Sequence, residues 1–323
     1  MSRDEWLEWR KGGITATEVA DAANGTYGGA YEVVAHKLGL LPPVEVNDAM
    51  QRGTRWQERI ADAVHSLTGF FVVGEETWCE KHDNPMVRAT VDGFLAESSE
   101  AEIDDVLGVV EIKTRGVNVH PPRGRWFDQV QWQLLATGLP VGIVAEVAID
   151  DSEDTFRSMA IHEVEADEMR QAVLLEVALQ LWAHVTYETL PEPDAGSLDA
   201  VKQVHSEASG AQVDLTDMAD DVSRLAKVKT ALKEVDDEAK TIEARIRDRM
   251  ADATEGVCDG YVVKVSEPTR VLTDAAEDAL VEAWPDYVVP KLDRARFKKE
   301  LKDVYAAHTA PVGARRFSIK ETS

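Results

Sequence analysis

Hydrophobic and polar residues follow two different periods along the first 190 residues. Apolar residues at three- and four-residue steps predict helices, whereas apolar runs and strict alternation predict strands. The predicted helices cover Thr15 to Asn24, Tyr31 to Leu38, Asp48 to Leu67, Trp126 to Thr137 and Glu165 to Thr189. The predicted strands cover Phe70 to Cys79, Met86 to Leu95, Val106 to Thr114, Gly142 to Asp150 and Thr155 to Val164. This order predicts an α/β fold with a mixed central sheet flanked by helices.

The pattern changes after residue 190. The segment 191–212 is rich in Pro, Gly, Ser, Ala and Asp, and we expect a linker there. From Leu215 to Ile246, apolar residues recur at heptad-like spacing, which predicts a long helix that packs against a helix of this chain or of another subunit. Shorter elements are expected at Tyr261 to Val265, Thr273 to Trp284, Asp293 to Ala306 and Arg316 to Ile319. The expected regions are therefore an α/β domain over 1–190, the linker, and a mainly helical extension over 213–323.

Composition favours a soluble intracellular protein. Of its 323 residues 44% are hydrophobic, and no apolar run approaches the ~18 residues that span a bilayer. The start of the chain is charged throughout, unlike a signal peptide. Cys79 and Cys258 form no CxxC pair, so neither a zinc ribbon nor an iron–sulfur cluster is indicated. We expect a cytoplasmic protein with no membrane partner.

The net charge of −25 argues against a surface that binds nucleic acid everywhere, because phosphate contacts need Lys and Arg. The charge is unevenly distributed, however. Between Lys113 and Arg125 the chain carries four Lys or Arg residues and no acid. One of them, Arg115, is a candidate contact for a polyanionic substrate. A basic groove in an acidic exterior suits a DNA enzyme, although solubility alone also explains the charge.

Two short motifs carry the strongest chemical signal: Val-Asp-Gly-Phe at 91–94 and Val-Glu-Ile-Lys-Thr at 110–114. Residues i and i+2 of a strand share one face, so Glu111 and Lys113 point the same way, and an adjacent strand ending at Asp92 brings a second carboxylate. Two close carboxylates favour a cation between them, and hard oxygen ligands suit Mg²⁺ or Mn²⁺. Lys113 can orient a water activated by that ion or stabilise an oxyanion. For the second motif alone, an ordinary surface strand is the alternative.

Three further polar residues flank these motifs. Glu58, on the long helix before the strands, can complete a metal shell, or it can be an exposed glutamate paired with a neighbouring arginine. Gln129 and Gln131 lie on the next helix, where amides can hold a water or a backbone phosphate. A solvated polar helix face is the alternative for both. Gln129 shares its helix face with Gln133 and not with Gln131.

An anion site is expected near the start of the chain. The sequence Thr15-Ala-Thr-Glu18 has the pattern of a capping box, so a helix with free N–H groups begins at Thr15. Arg10, just ahead of it, adds a bidentate phosphate donor, and Thr17 places a hydroxyl in the first turn. A plain capping box with a solvated arginine is the alternative.

Together these segments resemble the YqaJ-like viral recombinases, the family that includes the lambda-type alkaline exonucleases within the PD-(D/E)XK nuclease superfamily. The resemblance lies in the order and spacing of motifs between residues 8 and 150. The matching segments are 10–18, 53–58, 91–93, 111–113 and 129–131. The family often has serine where Thr17 stands, which keeps the hydroxyl. Residues from Asp214 onward exceed the minimal family domain.

The resemblance implies a 5′-to-3′ exonuclease that degrades one strand from a duplex DNA end in phage-type homologous recombination. By this resemblance, Asp92 and Glu111 bind Mg²⁺ or Mn²⁺ with support from Glu58, and Gln129 lies beside the metal site. Lys113 serves the nucleophilic water. It also implies a single-strand annealing protein as partner and a ring-shaped homo-oligomer. The candidate substrate-binding residues are Arg10, Thr15, Thr17, Arg115 and Gln131.

Other functions stay open. One is a RecB- or Cas4-like nuclease or a restriction-type endonuclease on the same fold, although Cas4-like proteins usually carry a cysteine cluster. Another is a DNA-end-binding scaffold without chemistry, against which the intact Asp92, Glu111 and Lys113 argue. An acidic coiled-coil interaction protein is favoured only by the charge and the later helix.

Overall fold

The computed structural model describes residues 3–43, 48–150, 155–207, 210–258 and 261–265. The chain divides into two compact units, residues 1–207 and residues 208–323. Among the helices in the described ranges, none is both long enough and apolar enough to cross a membrane.

The first unit contains helices and strands in the predicted order. Its helices are α1 (Arg3–Lys11), α2 (Ala16–Asn24), α3 (Gly29–Lys37), α4 (Asp48–Thr68), α5 (Gly124–Thr137), α6 (Glu168–Thr186) and α7 (Leu198–Val204). Its strands are β1 (Ile14–Thr15), β2 (Phe71–Val73), β3 (Thr77–Lys81), β4 (Asn84–Val91), β5 (Gly93–Ala96), β6 (Gly108–Gly116), β7 (Val141–Asp150) and β8 (Thr155–Glu165). At the start of α2 the Thr15 N–H donates to Glu18 at 2.8 Å, and left-handed glycines, Gly25 and Gly138, end α2 and α5. The capping signals therefore mark these ends.

Two sheets form the centre of this unit. The larger has the order β2-β5-β6-β7-β8, in which β6 and β7 are parallel and the other pairs antiparallel. The smaller has the order β1-β4-β3, with β1 parallel to β4. The α/β class and the mixed sheet flanked by helices are therefore confirmed.

The larger sheet carries a helix on each face. On one face Trp56 and Ile60 of α4 join a buried cluster with Val110 of β6. On the other face Val130 of α5 joins a cluster with Val109 of the same strand. Because successive strand residues point to opposite faces, odd-numbered residues of β6 lie under α5 and even-numbered residues under α4.

Two predicted strands are each divided. Phe70 to Cys79 becomes β2 and β3, because Gly74 and Glu76 have positive φ angles of 63° and 51° and turn the chain. Met86 to Leu95 becomes β4 and β5, which belong to different sheets, with Asp92 as the one residue between them. The hydrophobic pattern is continuous there, so it predicts a single strand. Asp92 thus lies where the chain passes from the smaller sheet to the larger.

The segment predicted as a linker contains α7. This helix packs through Ala200 against Tyr31 and Ala35 of α3, and the division between the two units falls after residue 207. The region boundaries at 190 and 213 stay a prediction.

The second unit contains the long helix that the heptad-like pattern predicts. Helix α8 (Ala219–Met250) has 32 residues, and a hairpin of β9 (Glu255–Cys258) and β10 (Tyr261–Lys264) follows it. The large apolar residues of α8 between Leu225 and Ile246 are 39–63% exposed. The elements predicted beyond residue 265 lie outside the described residues.

Candidate active site

The three central residues of the sequence prediction meet in the structure. Glu111 and Lys113 lie on the face of β6 that α5 covers, and the Lys113 ammonium contacts the Glu111 carboxylate. Strands β5 and β6 are antiparallel neighbours, so Asp92, just before β5, comes beside Ile112, whose N–H donates to Asp92 Oδ2 at 2.7 Å. Glu111 is only 2% exposed. The buried Glu111 carboxylate, the half-buried Asp92 carboxylate and the Lys113 ammonium therefore meet beneath α5.

Burial and charge act strongly on Asp92. Burial first, and then the neighbouring Glu111 carboxylate, raise the pKa of Asp92 to about 7, against the opposing effects of Lys113 and the Ile112 N–H. Two carboxylates this close are both ionised only at a cost, which a cation between them removes. The donor set consists of hard carboxylate oxygens and therefore fits a divalent ion such as Mg²⁺ or Mn²⁺.

Two glutamines of α5 hold the Glu111 carboxylate. Gln129 Nε2 donates to Glu111 Oε1 at 2.6 Å, while Gln129 Oε1 accepts from Lys113 Nζ at 3.0 Å. Gln133, one helical turn further, donates from Nε2 to Glu111 Oε2 at 2.5 Å and to the Thr90 carbonyl at 3.2 Å. Each oxygen of Glu111 thus has its own amide donor, which fixes the plane of the carboxylate.

Gln133 is missing from the residues predicted for the site. It is completely buried, and within the described residues its Oε1 has no hydrogen-bond partner. The spacing contains the signal, because Gln133 follows Gln129 by four residues and shares its face. Gln131 turns to the other side of α5, where Nε2 donates to the Glu165 carbonyl at 2.7 Å and Oε1 accepts from the Asp167 N–H at 2.9 Å. The structure therefore does not bring Gln131 to the carboxylates.

Glu58 is also not brought to the carboxylate pair. Helix α4 turns Trp56 and Ile60 toward the opposite face of the sheet, and Glu58 is exposed. In the part of the chain that the structure describes, no group of three or more Asp, Glu, His or Cys residues could hold a metal ion. The geometry therefore supports the pair Asp92 and Glu111, and not the predicted set of three carboxylates.

A second cluster lies where α1 approaches α2. Arg10 Nη2 lies 3.1 Å from Glu18 Oε1 and 3.4 Å from Thr15 Oγ1, and the guanidinium lies 4.6 Å from the Trp6 ring centre. Glu18 also pairs with Lys37 at 2.9 Å. Although burial acts to raise it, Lys37 and Arg10 together hold the pKa of Glu18 below its usual value. The Arg10 side chain is 27% exposed, so this held guanidinium still reaches solvent.

Strand β4 connects the two clusters. Thr15 pairs with Arg88 of β4, and Asp92 follows Arg88 by four residues, about 13 Å along an extended chain. Thr17 is half-buried in the first turn of α2. The predicted anion site and the carboxylate pair are therefore positioned by the same strand.

Arg115 lies two residues beyond Lys113 on the same face of β6. Its Nε donates to Glu146 Oε1 at 2.7 Å, and its side chain is 14% exposed. Arg115 is thus adjacent to the carboxylate pair without being part of it.

Comparisons with known proteins support the resemblance seen in the motifs. The family model described as the YqaJ-like viral recombinase domain matches residues 5–140. This segment includes both the Arg10 cluster and the carboxylate pair, and it ends just before β7. The resemblance to the YqaJ-like viral recombinases is therefore confirmed over these residues. No curated protein matches the chain significantly.

Solved structures of similar fold include two exonucleases. The crystal structure of an alkaline exonuclease from Laribacter hongkongensis is 21% identical, with a TM-score of 0.44, and the match covers 63% of this chain and 98% of that one. A phage-related exonuclease from Haemophilus somnus 129PT is 11% identical, with a TM-score of 0.42, and the match covers 55% of this chain and 96% of that one.

Proposed function

We propose that this protein is a metal-dependent exonuclease that hydrolyses one strand of linear duplex DNA from its end, in phage-type homologous recombination. The observation that carries the proposal is the meeting of Asp92, Glu111 and Lys113 on one buried face, within the segment that matches the YqaJ-like family.

Asp92 and Glu111 are the residues that would hold Mg²⁺ or Mn²⁺. A divalent ion bound there would lower the pKa of a coordinated water and neutralise charge on the phosphate. Glu111 presents its carboxylate in one orientation because Gln129 and Gln133 each bind one of its oxygens. Asp92 is fixed by the Ile112 N–H. Both carboxylates are therefore held in fixed positions, as a pair of metal ligands requires.

Lys113 supplies the positive charge beside the reacting atoms. Its ammonium is held between Glu111 and the Gln129 amide oxygen, and the Lys113 side chain is 20% exposed. From that position Lys113 can orient the attacking water and stabilise negative charge that develops on a phosphate oxygen. The protein contributes positioning and charge, which are the main requirements of phosphoryl transfer.

The Arg10 cluster would bind the phosphate at the DNA end. Arg10 offers a bidentate fork, Thr15 and Thr17 offer hydroxyls, and the first N–H groups of α2 favour an anion. Glu18 and Lys37 hold Arg10 in place. A 5′-to-3′ direction, a ring-shaped oligomer and a single-strand annealing partner belong to the proposal on the strength of the family resemblance.

One assay tests the proposal. Linear duplexes with 5′-phosphate or 5′-hydroxyl ends, and a closed circle, are incubated with the purified protein in Mg²⁺ or in EDTA. We expect loss of one strand from linear DNA in Mg²⁺ alone, faster from phosphorylated ends. Cutting of the circle would indicate an endonuclease, and a mobility shift without cleavage would indicate a scaffold.

The same assay tests the end-binding role of Arg10. We expect Arg10→Ala to reduce the preference for phosphorylated ends by roughly tenfold, since it removes a charged bidentate contact. Lys11→Ala is the matched control, because Lys11 is exposed and pairs only with Glu8 among the described residues. An unchanged preference in Arg10→Ala would place the phosphate elsewhere.

A further inference from the structure

A second buried carboxylate organises a group of cations beside the candidate active site. Glu146 lies in β7, is 3% exposed and is the strand partner of Lys113. Glu146 Oε1 accepts from Arg115 Nε at 2.7 Å, and Glu146 Oε2 accepts from Arg123 Nε at 2.8 Å. His162 Nε2 lies 2.9 Å from the same Oε2. Three side chains from separate segments therefore converge on one carboxylate.

The charge of this group is unbalanced. Burial acts to raise the pKa of Glu146, but the hydrogen bonds from Arg123, Arg115 and His162 outweigh it and lower the pKa to about 2. One ionised carboxylate thus faces two guanidinium groups, which leaves a net positive charge even with a neutral imidazole. By contrast, Arg170 pairs with the single carboxylate of Asp128 through two contacts of 2.6 Å, so one positive charge faces one negative charge.

Arg123 presents this excess charge to solvent. Its side chain is 49% exposed, and in the part of the chain that the structure describes this side chain makes one hydrogen bond, from Nε to Glu146. Its two terminal amino groups can therefore meet a ligand without breaking that bond. Arg115 is more enclosed, because its Nη1 also donates to the carbonyls of Gly116 and Val117 at 3.2 and 3.3 Å.

The cluster continues the catalytic face of the sheet. Arg115 follows Lys113 by two residues of β6, about 6.6 Å, and side chains at that spacing share a face. Phosphates of one DNA strand recur every ~3.4 Å along the helix axis. A phosphate beside Arg115 would therefore lie about two nucleotides from one held beside Lys113. In a chain of net charge −25, such a local positive excess indicates a polyanionic ligand.

We infer that Arg115 and Arg123, positioned by Glu146, form a second phosphate-binding site for the DNA strand next to the scissile bond. This inference rests on the proposed nuclease function and adds Arg123 as a contact and Glu146 as a positioning residue. The site needs β7 and β8, so part of it lies beyond the segment 5–140 that matches the YqaJ-like family.

Binding of a fluorescent linear duplex in EDTA, at increasing KCl, tests the site without any cleavage. We expect Arg123→Ala to weaken binding several-fold and to make the slope of log K against log [KCl] shallower by about 1, as for one lost phosphate contact. Arg157→Ala is the matched control, because the Arg157 side chain is 45% exposed and pairs with Asp150 at the end of β7. Equal slopes for Arg123→Ala, Arg157→Ala and the unmodified chain would overturn the inference.

Glu146→Gln tests the positioning role separately. It keeps both arginines, so we expect the salt slope to stay near that of the unmodified chain. We expect KM for duplex DNA to rise, by a factor several times larger than the factor by which kcat falls. An unchanged KM, in protein whose circular dichroism melt shows a folded chain, would remove Glu146 from the site. If Glu146→Gln does not fold, Arg123→Ala decides the question, because that side chain is half-exposed.

The outcomes also separate this inference from the proposed function. If the unmodified chain degrades DNA but Arg123→Ala keeps its salt slope, the phosphate site alone is wrong. If Arg123→Ala changes the slope but the unmodified chain never cleaves DNA in Mg²⁺, the nuclease proposal alone is wrong.

Discussion

Glu111 and Glu146 are two equally buried glutamates on neighbouring parallel strands, and the structure surrounds them differently. Glu111 is 2% exposed and is held by two neutral amides and one lysine, with Asp92 as an acidic neighbour. Glu146 is 3% exposed and is held by two arginines and a histidine. Burial is therefore the same at the two sites, and only the partners differ.

The difference shows how partners decide what a buried carboxylate can do. Around Glu111 two carboxylates face one ammonium group. Burial first, and then the Glu111 charge, raise the pKa of Asp92, and a cation between the two carboxylates would relieve both effects. Around Glu146 the positive charge is in excess, so the carboxylate stays ionised and its cations are available to an external anion. The proposed metal-binding pair and the proposed phosphate-binding site would therefore lie on the same face of the sheet.

Lys113→Ala should have the largest effect, because it removes the ammonium group that contacts Glu111. We expect DNA cleavage in Mg²⁺ to fall by about 10³-fold or more, as when a preorganised charge donor is removed from an active site. DNA binding in EDTA should stay within a few-fold, since the Glu146 cluster is intact. Single-turnover cleavage and binding are the measurements, and cleavage at the unmodified rate would remove Lys113 from the mechanism.

Asp92→Asn should stabilise the metal-free protein at high pH. The pKa of Asp92 is raised from 3.8 to about 7, so its contribution to stability is present below about pH 4 and is lost as the pH rises through about 7. The asparagine variant imitates the protonated acid and should be more stable at about pH 8 by on the order of 3 kcal/mol. Thermal unfolding in EDTA across this pH range is the measurement.

The same titration should affect metal binding. Protons compete with Mg²⁺ for Asp92, so the Mg²⁺ concentration needed for half-maximal cleavage should rise as the pH falls below about 7. If Asp92→Asn left the stability of the metal-free chain unchanged at every pH, the charge of the carboxylate pair would not destabilise the folded protein.

Gln133→Leu should have a smaller effect on cleavage than either change above. It removes the donor to Glu111 Oε2, and we expect about a tenfold loss of kcat, in the range seen when a partner of a metal-binding carboxylate is removed. Gln131→Leu is the matched variant on the same helix, where the lost bonds join α5 to Glu165 and Asp167. We expect it to lower the melting temperature with cleavage changed by less than about twofold. Equal losses of kcat in both would contradict the assigned role of Gln133.

The pairing of Glu111 with Lys113 could be predicted because strand alternation is a local rule. The position of Asp92 could be predicted only in part, because the strand-like pattern from Met86 to Leu95 gives no sign that the chain passes there from one sheet to the other. The outward position of Glu58 could be predicted from the sequence. It follows Trp56 by two residues, about 200° around the helix from the apolar stripe.

The Glu146 cluster could not be predicted from local patterns. It depends on the parallel register of β6 and β7, which places Glu146 opposite Lys113, and on the loop that returns Arg123 to the same point. The choice between Gln131 and Gln133 likewise depends on which side of α5 meets the sheet. Such relations are set by tertiary packing between residues distant in the chain.

Mn²⁺ binding followed by electron paramagnetic resonance, at about pH 8, shows whether Asp92 and Glu111 hold a divalent ion. We expect the unmodified chain to bind Mn²⁺. We expect Asp92→Asn and Glu111→Gln each to weaken binding by tenfold or more, and Glu146→Gln, at an equally buried carboxylate, to leave it unchanged. Unchanged Mn²⁺ affinity in Asp92→Asn and Glu111→Gln, or a loss confined to Glu146→Gln, would contradict this assignment.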